Sequence, residues 1–207
     1  MIIDCSHELH EGLPGYPGDD NRLAVNSSRD GDSTSSSFSM SVHYGTHLDT
    51  PRHFIPDGPG LESWNPEMCS TTALWLFCEE SSRGFTLAPS IDLWSLPEVE
   101  WIFFYTGWSE RWGEEDYYQE VPGLEESLIE DLLDRPLIGC GLDTPSIDPV
   151  PDNESTNHRR WLKQDRYILE NLRWDPAIED GMPYQTIITP LPIPSLEGSP
   201  CRVLHRR

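Results

Sequence analysis

Phe38-Ser39-Met40-Ser41-Val42-His43-Tyr44-Gly45-Thr46-His47-Leu48-Asp49-Thr50-Pro51-Arg52-His53-Phe54 is the stretch on which the reading of this chain turns. In its first half Phe38, Met40 and Val42 alternate with Ser39, Ser41 and His43, the two-residue period of a half-buried strand that ends at His43. The second half is dense in ligand chemistry, with His43, His47, Asp49 and His53 inside eleven residues. Neutral imidazole and carboxylate hold zinc or manganese while leaving a position for water, and close spacing lowers the entropy cost of assembling the site. Gly45 permits a tight turn between the first two histidines, Thr46 stands where it could orient one of them, and Pro51 restricts the chain ahead of His53. Surface histidines beside an acid are the bland alternative, and four candidate ligands packed this tightly favour a metal.

Outward from this stretch, the punctuation and periodicity predict a mixed α/β chain with more strand than a strict βα alternation gives. A short strand is expected at residues 2–5, followed by an irregular loop forced by Gly12, Pro14, Gly15, Pro17 and Gly18. Strands are expected at 73–79, 100–106, 137–142, 167–169, 186–189 and 202–205. Leu124, Leu128, Ile129, Leu132 and Leu133 share one helical face after Pro122-Gly123, and a shorter helix with Trp161 and Leu162 inward is expected to begin near His158. Glu170 closes the apolar run Tyr167-Ile168-Leu169, where a carboxylate facing the interior must be paired or metal-bound. A capped helix and a surface glutamate would equally explain His158 and Glu170.

The 207 residues suit one domain over 1–207, and a 36% hydrophobic, 10% aromatic composition is that of a globular protein. A net charge of −22, with Lys163 the only lysine, argues against nucleic acid as a partner, because a phosphate backbone is bound through clustered Lys and Arg. No apolar stretch reaches the roughly 18 residues of a membrane span. The N-terminus lacks a basic region followed by an apolar one. Cys5, Cys69, Cys78, Cys140 and Cys201 are an odd, scattered set without a C-x-x-C pair, which suits reduced thiols. A cytoplasmic enzyme acting on a small molecule is the expectation, with no membrane and no nucleic acid.

Among the candidate ligands His53 lies furthest from the His43–His47 turn and has the chemistry of a proton shuttle, with a third metal ligand as its alternative role. A non-catalytic metal protein would favour thiolates, and no cysteine lies near the motif. The pattern H-x-G-T-H-x-D-x-P-x-H-F, complete from His43 to Phe54, resembles the cyclase family of metal-dependent hydrolases, best known from bacterial kynurenine formamidases. Asp4-Cys5-Ser6-His7, Tyr16-Pro17-Gly18-Asp19, Thr106-Gly107-Trp108, the run from Gly141 to Asp148 and the run from Gly198 to Arg202 extend the resemblance over nearly the whole chain.

The resemblance implies a compact swivelling β/β/α domain, a mixed α+β fold, that forms a homodimer or higher homo-oligomer. It implies that His43, His47 and Asp49 hold one metal, that Asp49 reaches a second held by His158 and Glu170, with Glu170 touching both, and that His53 donates and accepts the proton. Two zinc ions are the implied cofactors, with manganese as the alternative. Tyr16 stands where these formamidases carry a tryptophan against the substrate ring. The implied reaction is hydrolysis of N-formyl-L-kynurenine, with a lactam such as isatin, another cyclic amide or ester, or a natural-product intermediate as the other substrates of such a site.

Overall fold

The computed structural model describes residues 1–87, 91–152 and 154–206. In chain order its elements are β1 (Ile2–Asp4), β2 (Ala24–Asp30), β3 (Ser33–Ser39), β4 (His47–Asp49), β5 (Ser70–Ser81), β6 (Gly84–Leu87) and β7 (Trp101–Tyr105). They continue as α1 (Glu126–Leu133), β8 (Gly139–Leu142), α2 (Thr156–Leu162), β9 (Tyr167–Glu170), β10 (Pro183–Pro190) and β11 (Gly198–Arg206), with short 3-10 turns between. This is a mixed α+β fold, as the sequence predicts.

The sheet closes on itself. From β11 it runs through β10, β5, β7, β8, β9 and β4, and β4 pairs again with β11. β5, β7, β8 and β9 pair in parallel and the other neighbours antiparallel. The parallel strands are buried on both faces, and strand alternation sorts their side chains into two cores. Leu74, Leu76, Ile102, Phe104, Cys140, Leu142 and Ile168 face outward, against Leu128, Ile129 and Leu132 of α1 and Trp161 and Leu162 of α2. Ala73, Trp75, Trp101, Phe103, Leu169, Ile188 and Val203 fill the interior of the ring. Fully burying each Leu, Ile, Val or Phe side chain among them contributes about 1.5–3 kcal/mol. At the inward positions of β8 the rings leave room only for glycine: a Cβ on Gly139 would lie 2.4 Å from Trp101, and one on Gly141 would lie 2.6 Å from Phe103.

The expected strand into His43 ends earlier. β3 stops at Ser39, and Phe38 is 62% exposed, because β3 pairs only with β2 in a hairpin whose every residue is exposed. Alternation there reflects the two faces of an exposed ribbon rather than a core face. The strand of the motif is β4, which carries His47 and Asp49 on one face and Leu48 on the other. Among the described residues no helix is long and apolar enough to cross a membrane, and all five cysteines are free thiols.

Candidate metal centre

The local fold of the motif follows from its hydrogen bonds. Gly45 takes a positive φ of 74°, and the chain doubles back so that its carbonyl meets Nδ1 of His47 at 2.8 Å. That bond puts the proton on Nδ1 and leaves the Nε2 lone pair of His47 free. β4 pairs with β9 so that His47 stands opposite Glu170, and Asp49 stands opposite Ile168. Residues opposite one another and residues two apart share a face, so His47, Asp49 and Glu170 all project from the outer face of the ring, the face that carries Ile168 and the helices. Beyond Asp49 the turn Pro51–His53 brings His53 back until its ring centroid lies 4.1 Å from that of His43. His43 Nδ1 lies 2.9 Å from Asp49 Oδ1.

A second segment completes the cluster. The Asp148 carboxylate accepts the backbone N–H of Asn157 at 2.7 Å and of His158 at 3.1 Å, two donors that the first turn of α2 leaves without intrahelical partners. It also meets Nδ1 of His158 at 2.6 Å, which fixes the ring and presents Nε2 to the site. That Nε2 lies 3.2 Å from Glu170 Oε1 and 3.7 Å from Asp49 Oδ2. His47 Nε2 lies 3.4 Å from Asp49 Oδ1 and 3.5 Å from Glu170 Oε2.

These separations are those of donors around a shared cation. Two atoms each about 2.1 Å from a tetrahedral ion lie about 3.4 Å apart, too far to be hydrogen-bonded well and too close to be ignored by two buried polar groups. Donor atoms of His43, Asp49 and His53 all fall within 4.8 Å of one another, as do those of His47, Asp49 and Glu170. Asp49 belongs to both groups. Its Oδ2 is buried with no hydrogen-bond partner among the described residues, the state expected of an oxygen whose partner is an ion. The resemblance groups the ligands as His43, His47 and Asp49 against His158 and Glu170. Glu170, which the resemblance has touching both metals, lies within reach of His47 as well as His158, and His53 stands beside His43 and Asp49.

Charge makes the same demand. Burial alone would raise the Asp49 pKa, yet the imidazoles of His53, His43 and His47 hold it well below the usual carboxylate range. Burial pushes His158 down, but Asp148, Asp49 and Glu170 outweigh it and hold the ring well above its ordinary value. His47 is likewise raised, with burial opposed by Asp49 and Glu170. Buried carboxylates here draw protons onto neighbouring imidazoles, and a divalent cation would displace those protons. His53 behaves oppositely: burial, helped by repulsion from the other histidines, outweighs the pull of Asp49 and lowers it to about 4, so it is a neutral base near pH 7.

The cluster floors a cavity of about 350 Å³. Tyr16, Phe54 and Tyr118 form its aromatic wall, and Tyr16, 39% exposed, meets Tyr118 edge-on at 5.9 Å. Thr46, read from sequence as a support for one of the histidines, touches neither: its hydroxyl donates to the Asn171 carbonyl at 2.5 Å and accepts the N–H of His7. Sequence reasoning assigned no role to Asp148, Phe54, Tyr118 or Asn171. Asn171 donates to the Gly45 carbonyl at 3.0 Å and accepts from the Tyr117 hydroxyl, so it braces the histidine turn from 126 residues away in the chain. The pattern ending at Phe54 and the run ending at Asp148 carried a signal for those two residues, and Tyr118 and Asn171 had none.

Known proteins share the sequence pattern and the fold. The family model Cyclase matches residues 3–149. The chain is 28% identical to a kynurenine formamidase of Bacillus cereus, over 99% of this chain and 96% of that protein. A structure from Bacillus stearothermophilus described as a "predicted metal-dependent hydrolase" superposes with a TM-score of 0.81 at 23% identity, covering 99% of this chain and 97% of that one. Isatin hydrolase A of Labrenzia aggregata, solved with benzyl benzoate, superposes with a TM-score of 0.80 at 25% identity, covering 99% and 93%.

Proposed function

The chain belongs to the cyclase family, and we propose that it is a metal-dependent amide hydrolase, an arylformamidase that converts N-formyl-L-kynurenine to L-kynurenine and formate. The observation that carries this reading is the pair of ligand groups sharing Asp49 at the floor of an aromatic-walled cavity. His43, His47, Asp49, His158 and Glu170 would hold one or two divalent ions, zinc by ligand preference and manganese as the alternative. When bound, such an ion supplies Lewis acidity, lowering the pKa of water from about 15.7 towards about 7 and polarising the amide carbonyl.

The chain's own residues do the rest. Asp148 holds His158 in the tautomer that offers Nε2, and the Gly45 carbonyl does the same for His47. The wall of Tyr16, Phe54 and Tyr118 receives the aryl ring and excludes water around the reacting bond. His53, neutral near pH 7, takes the proton released as water attacks the formyl carbon and returns it to the aryl nitrogen as the C–N bond breaks. Formate and the free amine leave.

A second reading keeps the site and replaces the formyl amide by a lactam such as isatin, which the likeness to isatin hydrolase A supports. Formate release from N-formylkynurenine and ring opening of isatin, assayed side by side with metal analysis, separate the two. Chelation should abolish formate release and added zinc or manganese should restore it. Activity untouched by exhaustive chelation would overturn the metal reading, and ring opening without formate release would favour the lactam.

A further inference from the structure

We infer that the mouth of the cavity selects substrates by charge, taking aryl amides whose non-reacting end carries an ammonium group and disfavouring those that carry only a carboxylate, with Asp152 as the specificity-determining residue. This deepens the amide-hydrolase reading and rests on it for the orientation of the substrate.

With the carbonyl held at the ligand cluster, the remainder of a substrate points toward the wall and mouth of the cavity. Among the described residues that line it are four carboxylates, and none of the described lining residues is Lys or Arg. Two of the four are committed: Asp148 to His158, and Glu170 to the ligand groups and to the Ile147 N–H at 3.0 Å. Asp19 and Asp152 remain. Asp19 Oδ1 accepts both the backbone N–H of Asn21 at 2.9 Å and its side-chain amide at 3.1 Å, and Ser41 bonds to the same carboxylate. Asp152 Oδ2 accepts the Ser155 N–H, and Oδ1 has no hydrogen bond among those found for the described residues. Asp152 is therefore the carboxylate with capacity to spare.

Arg159 is a rival cation, its guanidinium 5.4 Å from the Phe54 ring centroid. It bonds the backbone carbonyls of Glu154 and Phe54 and does not line the cavity. An anionic tail thus meets negative charge at the mouth, and a cationic tail meets a half-buried carboxylate in a partly desolvated setting, where a charge pair is worth more than on open surface.

The test uses three formanilides that differ only in an ortho chain ending in ammonium, methyl or carboxylate, assayed with the metal-loaded protein at low ionic strength. The expected kcat/KM falls in that order, with ammonium over carboxylate by about 10-fold, and the ratio shrinks as salt is added. Asp152→Asn, which keeps an acceptor for the Ser155 N–H, should cut the ratio by about 3-fold or more, and Asp19→Asn should cut it less. Equal or better turnover of the carboxylate compound, or a ratio unchanged in Asp152→Asn, overturns the inference. Calorimetric binding of the three matching anilines gives the same ranking without turnover. If none of the formanilides is hydrolysed the formamidase reading fails, and the aniline ranking still decides the charge selection.

Discussion

His205 and His158 are both buried imidazoles with a partner at each ring nitrogen, and those partners shift their affinities for a proton in opposite directions. His205 points into the ring interior, where Trp75 Nε1–H donates to its Nε2 at 2.7 Å and its Nδ1 meets the Thr186 hydroxyl at 2.8 Å. Indole can only donate, so Nε2 is the bare nitrogen and Nδ1 carries the proton. Phe103 and Tyr184 stack against the ring, and burial lowers its pKa to about 4. His158, on the outer face, has carboxylates at both nitrogens and is held well above its ordinary value. Burial depth is shared; the partners differ. Neutral partners complete His205 and leave nothing for a ligand to add, whereas three converging carboxylates leave the outer cluster short of positive charge.

That contrast can be broken at several points, with the largest effect expected at the shared ligand. Asp49→Asn should lower kcat/KM by about 10⁴-fold together with metal content, measured by formate release and elemental analysis, while leaving the ring interior folded. Full activity in that variant would remove Asp49 from the centre of both groups. His53→Ala should cost about 10³-fold in kcat with metal content retained. Loss of metal alongside activity would instead make His53 a ligand of the His43–Asp49 group.

The interior histidine gives the next effect, and it is one of stability. With its pKa depressed from 6.5 to about 4 in the folded state, the unfolded chain binds the extra proton first as pH falls. The contribution of neutral His205 is therefore fully present above pH 6.5 and is lost progressively down to about pH 4, amounting to about 3 kcal/mol. Denaturant titrations of wild type and His205→Gln across this window should show the shallower pH dependence in the variant. Parallel curves would mean that His205 does not titrate with unfolding. The smallest effect belongs to Asp148→Asn, which keeps the hydrogen-bonding shape but weakens the hold on His158, and metal affinity measured by competition with a chelator should fall about 10- to 100-fold.

Legibility in the sequence followed the same division between local and distant partners. β5, β7, β9 and both helices were readable because apolar side chains on a fixed period are what packing requires of them. The β2–β3 hairpin was not, since a serine-rich ribbon exposed along its whole length carries no burial pattern. β4 was missed because ligands occupy the positions where alternation would place polar or apolar residues, and only Leu48 betrays a strand. The spacing of His43, His47, Asp49 and His53 pointed to a metal cluster, and the chain does bring their donor atoms together. Asn171 acts on the Gly45 carbonyl 126 residues away, which comes near only when the ring closes, and Asp148 reaches His158 across an irregular ten-residue span with no period to mark the pair.

β11 binds β10 along one edge, and β1 and β4 along the other. Its first residue, Gly198, lies opposite Asp49, where an added Cβ would come within 3.0 Å of His43 Cε1. The strand that locks the ring is thus also the backing plate of the ligand cluster. Opening the sheet at the β4–β11 seam would therefore take the support away from Asp49 and His43 together, so the ligand cluster lasts only as long as the ring stays shut.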